Sequence, residues 1–98
     1  MDTTETKYQV KPTAKFKNDL KRVEKRGYKI DLLTTVIKKL AKGETLDESY
    51  NDHQLKGRYK GLRECHITPD WLLIYEIDGD SLYLYLTRTG THSDLFKK

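Results

Sequence analysis

The sequence predicts a mixed α/β fold of the α+β kind, a helical hairpin packed on one face of a small, largely antiparallel β-sheet. Three observations carry this. Two one-sided apolar stripes at helical spacing fill the first half, at Phe16, Leu20, Val23 and at Leu33, Val36, Ile37, Leu40. Three strand-like runs follow in close order, GLRECHI (61–67), WLLIYEI (71–77) and SLYLYLT (81–87). Short turn signals, TPD and DGD, separate those runs.

Each element has a local cause. KYQVKP (7–12) reads as a short edge strand, stopped where Pro12 cannot donate to a ladder. Thr13 is placed to cap the first helix, and Gly27 ends it. The second helix is expected to start near Asp31 and to end at Gly43. One-sided stripes must pack on something, so both are core, and the short link between them predicts an antiparallel pair. GETLDESYND (43–52) is an acidic connector without period. The three runs then form an antiparallel meander, with Pro69 and Asp78-Gly79 supplying the turns. The middle strand is apolar at nearly every position and is expected at the centre. On the third, Leu82, Leu84 and Leu86 share the face under the helices, and Tyr83, Tyr85 and Thr87 share a more open one.

The 98 residues are read as one domain, 1–98. No apolar run approaches a membrane span, the first ten residues lack the apolar stretch of a secretory signal, and the single Cys65 excludes an internal disulfide. A cytoplasmic protein without membrane contact is expected. The net charge of +4 is unevenly spread. Residues 1–42 hold 12 Lys and Arg against 5 Asp and Glu, and residues 43–98 hold 7 against 10. A basic half predicts a polyanionic partner, met by Lys15, Lys21, Arg22, Lys25 and Arg26 on the first helix.

The second half holds the candidate chemistry. His53, His66 and His92 precede, end and follow the sheet, with Asp70 and Trp71 beside His66. Arg88 is expected at the far end of the central strand from His66, and simple alternation puts it on the leucine face. A bulge in LTRTGT would turn it over, and Gly90 makes irregular backbone plausible there. Each residue alone has a plainer reading: Asp70 a turn residue, His66 half-buried, His53 a loop residue, Arg88 a surface cation, Trp71 core, Cys65 an inert buried thiol. The His pairs lack the close spacing of zinc motifs, so no metal and no cofactor is expected. Taken together, the set suits metal-free RNA cleavage. The ribose 2′-OH already lies beside the scissile phosphate; a base, an acid and a cation suffice. Imidazole serves in either proton-transfer role, Arg presents a fork to phosphate, and aromatic rings stack on unpaired bases.

The stretches DHQLKGRYKGLRECHITPDWLLIYEI (52–77) and LTRTGTHSDLF (86–96) resemble the RelE superfamily of bacterial type II toxins, in its YafQ-like branch. The resemblance implies a compact domain with a helical hairpin on a small twisted sheet. It also implies a ribosome-dependent endoribonuclease that cuts mRNA in the ribosomal A site and is neutralised by a cognate antitoxin. His53, His66, Asp70, Arg88 and His92 match the family's catalytic positions, and Trp71 and Phe96 its RNA-contacting ones. Arg88 would hold the scissile phosphate and His92 act as general acid. Asp70 and His53 are candidates for base or for orienting another group, supported by His66. A gyrase-inhibiting toxin of the ParE-like branch is the alternative on the same fold, and a plain nucleic-acid-binding module using the basic half is a third.

Overall fold

The computed structural model describes residues 6–96; Met1 to Glu5, read above for a signal, and the closing Lys97 and Lys98 lie outside them. Strand β1 (Gln9–Pro12) leads into helices α1 (Ala14–Lys25) and α2 (Ile30–Ala41). Strands β2 (His53–Gln54), β3 (Arg63–Thr68), β4 (Trp71–Asp78) and β5 (Tyr83–Gly90) follow, and the one-turn helix α3 (His92–Leu95) comes last. The sheet order is β1-β5-β4-β3-β2, with β1 parallel to β5 and the other pairs antiparallel. The expected meander is therefore β3-β4-β5, extended by a short strand at each edge. Among the described residues, no helix is long and apolar enough to cross a membrane.

The local causes of the helices act as expected. Thr13 caps α1, its hydroxyl accepting the Phe16 N–H at 3.0 Å. The same hydroxyl donates to the Thr87 carbonyl at 2.9 Å, so one side chain starts α1 and ties it to β5. Gly27, at φ +82°, takes the left-handed turn after α1. α1 buries Phe16, Asp19 and Val23; α2, which starts at Ile30, buries Leu33, Val36, Leu40 and Ala41.

β4 is covered on both faces. Trp71, Leu73 and Tyr75 join the helices, Cys65, Leu84 and Leu86 in the main core. Leu72 and Ile74 point the other way, under Leu95, Leu55, Leu62 and Phe96. Leu82 departs from the expected leucine face. The Asp78 carboxylate accepts the Asp80 and Ser81 N–H groups, each at 3.1 Å, and lengthens the turn. Leu82 closes it at φ +59° and 47% exposed, ahead of β5.

The β4–β5 register slips once. Ile74 pairs with Arg88 but Tyr75 pairs with Leu86, leaving Thr87 as an extra residue. This bulge reverses the alternation. Leu84 and Leu86 face the helices, while Arg88 shares the opposite face with Ile74. Leu73 is fully buried at the centre of this arrangement. Leu73→Ala is expected to cost about 2–5 kcal/mol in urea denaturation; a loss under about 1 kcal/mol would mean that β4 is not the core strand.

Candidate active site

The face of the sheet away from α1 and α2 gathers the polar residues. His53 on β2 pairs with Glu64 on β3, and Glu64 shares its face with His66 two residues on. Glu64 is 4% exposed, and its Oε1 lies 3.4 Å from His53 Nε2 and 3.7 Å from His66 Nε2. His53 is set from the other side too, its Nδ1 lying 2.7 Å from the Asn51 carbonyl oxygen. Asp52 anchors the same stretch from within, accepting the Tyr75 hydroxyl at 2.7 Å and Arg63 Nε–H at 3.3 Å. Burial, with Asp52 as acceptor, pushes the Tyr75 phenol above its ordinary value.

A row of rings crosses from β3 to the C-terminal turn. His66 and His92 have centroids 6.1 Å apart, His92 and Phe96 5.9 Å, and Phe96 meets Tyr59 edge-on at 5.3 Å. Asp70, exposed in the β3–β4 turn, lines an open cleft of about 340 Å³ with Tyr28, Thr91, His92 and Ser93.

Arg88 is not at the far end of β4 from His66. In an antiparallel meander the third strand returns to the start of the second, so Gly90 pairs with Leu72 and Arg88 with Ile74, close to the His66–Leu72 pair. The bulge supplies the face. Arg88 is bound by Asp19 of α1, through Nε at 2.7 Å and Nη2 at 3.1 Å, and Asp19 holds the guanidinium further above its ordinary value.

α3 is seated by charge. The Thr91 hydroxyl accepts the Asp94 N–H at 3.1 Å, and the Asp94 carboxylate accepts the Thr91 N–H at 2.9 Å. Arg26 of α1 grips the same carboxylate bidentately, at 2.7 and 3.0 Å, with Arg22 at 3.9 Å. The Arg26 guanidinium, with the Thr91 N–H, holds Asp94 well below the usual carboxylate range. Gly90 is required here. Its φ is +149°, and a Cβ would lie 2.9 Å from Asp94 Oδ2. His92 and Phe96 therefore take their places from a turn fastened to α1.

Two sets of these residues sit otherwise than the sequence suggested. Trp71 offers no stacking surface to RNA. Its parity turns it to the helices, where it is 2% exposed, packs against Tyr28 at 5.0 Å and donates Nε1–H to the Thr89 hydroxyl at 2.8 Å. The basic row on α1 is also partly engaged within the fold. Lys15, Lys21 and Lys25 are exposed with no ion pair among the described residues, but Arg26 is committed to Asp94, and Arg22 lies 3.6 Å from Asp19. Cys65 is buried, which pushes its thiol up to about 12.

Asp19, Glu64, Tyr59 and Asp94 were not picked out from the sequence. For Asp19 a signal existed: it lies between Phe16 and Val23 on the apolar stripe of α1, where an unpaired carboxylate is costly. Among the described residues, no group of three or more His, Cys, Asp or Glu is arranged to hold a metal ion.

The same fold occurs in bacterial toxins. The chain is 43% identical to a metal-bound toxin from Helicobacter pylori, with a TM-score of 0.86, over 91% of this chain and 99% of that one. It is 33% identical to a chain of the Escherichia coli DinJ–YafQ toxin–antitoxin complex, with a TM-score of 0.83, over 92% of this chain and 98% of that one. The curated mRNA interferase toxin YafQ of E. coli K12 is 38% identical over 85 residues, 86% of this chain and 90% of the relative. Residues 8–97 match the family described as bacterial toxin of type II toxin–antitoxin system, YafQ, and the chain belongs to that family.

Two measurements follow. Asp94 binds its proton more weakly folded than unfolded, so it contributes stability above its ordinary value near 3.8 and loses it as pH falls toward the folded value. Asp94→Asn is expected to flatten the decline of stability below about pH 4 seen in wild-type acid titrations; an unchanged acid limb would refute the Arg26 grip. Trp71→Ala is expected to cost about 3–5 kcal/mol in thermal or urea melts, whereas a change below about 1 kcal/mol would return the ring to the surface.

Proposed function

We propose that this chain is the toxin of a type II toxin–antitoxin pair and acts as an endoribonuclease on mRNA in the ribosomal A site. The arrangement that carries the reading is one sheet face holding His66 and His92 with ring centroids 6.1 Å apart, with Arg88 turned onto it by the Thr87 bulge. The ribose 2′-OH attacks the adjacent phosphate, a base takes its proton, an acid protonates the leaving 5′-oxygen, and a cation meets the charge that develops between them. No metal or cofactor enters this scheme. Arg88 takes the cation's role, its charge permanent and its fork suited to phosphate oxygens. His92, exposed at the first position of α3, is the general acid. Asp70, across the shared cleft, and His53 are the candidates for base or for orienting another group. His66 supports them, held with His53 by Glu64. Phe96, between His92 and Tyr59, seats the last turn and offers its remaining surface to RNA.

The ribosome is met by the basic half, where Lys15, Lys21 and Lys25, with the exposed parts of Arg22 and Arg26, contact rRNA phosphates. The E. coli YafQ relative was solved in complex with DinJ, which supports a cognate antitoxin for this chain. We place the pair in the cytoplasm. His92→Ala and Arg88→Ala are each expected to lower single-turnover cleavage on programmed ribosomes by roughly 100-fold or more. A chelator selective for transition metals, which spares the Mg²⁺ of the ribosome, should leave the wild-type rate unchanged. Primer extension on the mRNA reads the cuts directly. Wild-type rates in both variants would overturn the assignment, and inhibition of DNA supercoiling without mRNA cuts would move the chain to the gyrase-inhibiting reading.

A further inference from the structure

Asp19 is a carboxylate on the apolar face of α1, between Phe16 and Val23, and it is 2% exposed. Such a charge persists only where donors replace water. It has three: Arg88 Nε–H to Oδ2 at 2.7 Å, Arg88 Nη2–H to Oδ1 at 3.1 Å, and the Thr89 backbone N–H to Oδ2 at 3.1 Å. The third fixes the carboxylate to the strand immediately after the bulge, so the anion grips Arg88 and the backbone beside it as one unit.

A guanidinium carries five N–H donors in a rigid plane, and each edge offers a two-pronged fork. Asp19 takes the Nε/Nη2 edge. Among the described residues Nη1 makes no hydrogen bond, and the Arg88 side chain is 26% exposed. The edge left to solvent is therefore the Nη1/Nη2 fork, which matches two phosphate oxygens.

We propose that Asp19 is the positioning residue for Arg88, holding its inner edge so that the Nη1/Nη2 fork is presented to the RNA phosphate. The naming of that phosphate rests on the function proposed above; the orientation of the fork does not. A carboxylate at this distance also prevents the long side chain from folding away along the sheet edge, so the cation is in place before substrate arrives. That is the condition under which a charge stabilises a transition state without reorganising.

The test has two arms. In the wild-type chain with ¹⁵N-labelled arginine, inorganic phosphate is expected to shift the Arg88 Nη resonances, while its Nε–H stays unshifted and slow to exchange. An Nε–H that moves with phosphate, or Nη resonances that never respond, overturns the proposal without any variant having to fold. In the second arm, folded Asp19→Asn is expected to cut at a single-turnover rate about 100-fold lower at saturating toxin, the scale of a misplaced reacting group. The half-saturating toxin concentration should not change, and Arg88→Ala added to Asp19→Asn should lower the rate by less than about twofold, since coupled residues are not additive. A wild-type rate in Asp19→Asn, or an undiminished further loss on adding Arg88→Ala, overturns the proposal. Should the wild-type chain not cut mRNA at all, the proposed function fails, and the phosphate titration still decides whether Asp19 orients the fork.

Discussion

One unpaired residue in a β-ladder sets the rest of the candidate site. Thr87 adds a position to β5 that β4 does not match, and every residue beyond it changes face. Without the slip, Arg88 would lie among the leucines under the helices and Thr89 would face the rings. With it, Thr89 becomes the buried hydroxyl that receives Trp71 Nε1–H and donates to the Leu72 carbonyl at 2.7 Å. Arg88 goes to the side of His66. The bulge is not left open: the Thr13 hydroxyl takes its carbonyl, and Asp19 takes the Thr89 N–H just beyond it. Both partners come from α1 and its cap, so the helix that starts the fold also holds its irregular point.

α1 then acts as the frame for the closing segment. Asp19 holds Arg88, and one and two turns further along, Arg22 and Arg26 reach Asp94. The charges alternate in sign along α1, an anion at Asp19 and cations at Arg22 and Arg26, and each meets an opposite charge on β5 or α3. The outer pairs, of the partly exposed Arg22 and Arg26 with Asp94, add little stability on their own. Here their consequence is geometric. They fix the rotation of α3, and with it the distance from His92 to His66.

The second face of the sheet resolves a conflict of needs. A central strand as apolar as β4 has to be covered on both sides, yet a site has to be open. The cover is small: Leu95 and Phe96 from the C-terminal turn, and Leu55 and Leu62 from the loop between β2 and β3. The residues proposed for chemistry stand at the margins of this minor core rather than over its middle. Phe96 belongs to both, packing on the minor core while its ring meets His92 and Tyr59.

What the sequence by itself determined is whatever depends on neighbours along the chain. The helical stripes, the Thr13 cap, the turn at Gly27 and the meander follow from spacings of two to four residues, and they came out as read. The motif residues of the second half were legible too, and Gly90 hinted at the irregular backbone that turns Arg88 over. Trp71 suits both a stacking platform and a core by residue type, and only the strand's parity against α1 and α2 settles that its ring lies in the core. The tertiary structure alone decided the ion pairs. Asp19 and Arg88 are 69 residues apart in sequence, and Arg26 and Asp94 are 68 apart. No periodicity encodes such a pair, because a carboxylate's partner is set by which strand end arrives beside the helix. Glu64 has the same standing: an ordinary strand glutamate until β2 lays His53 against it, when its carboxylate comes to lie close to two imidazoles.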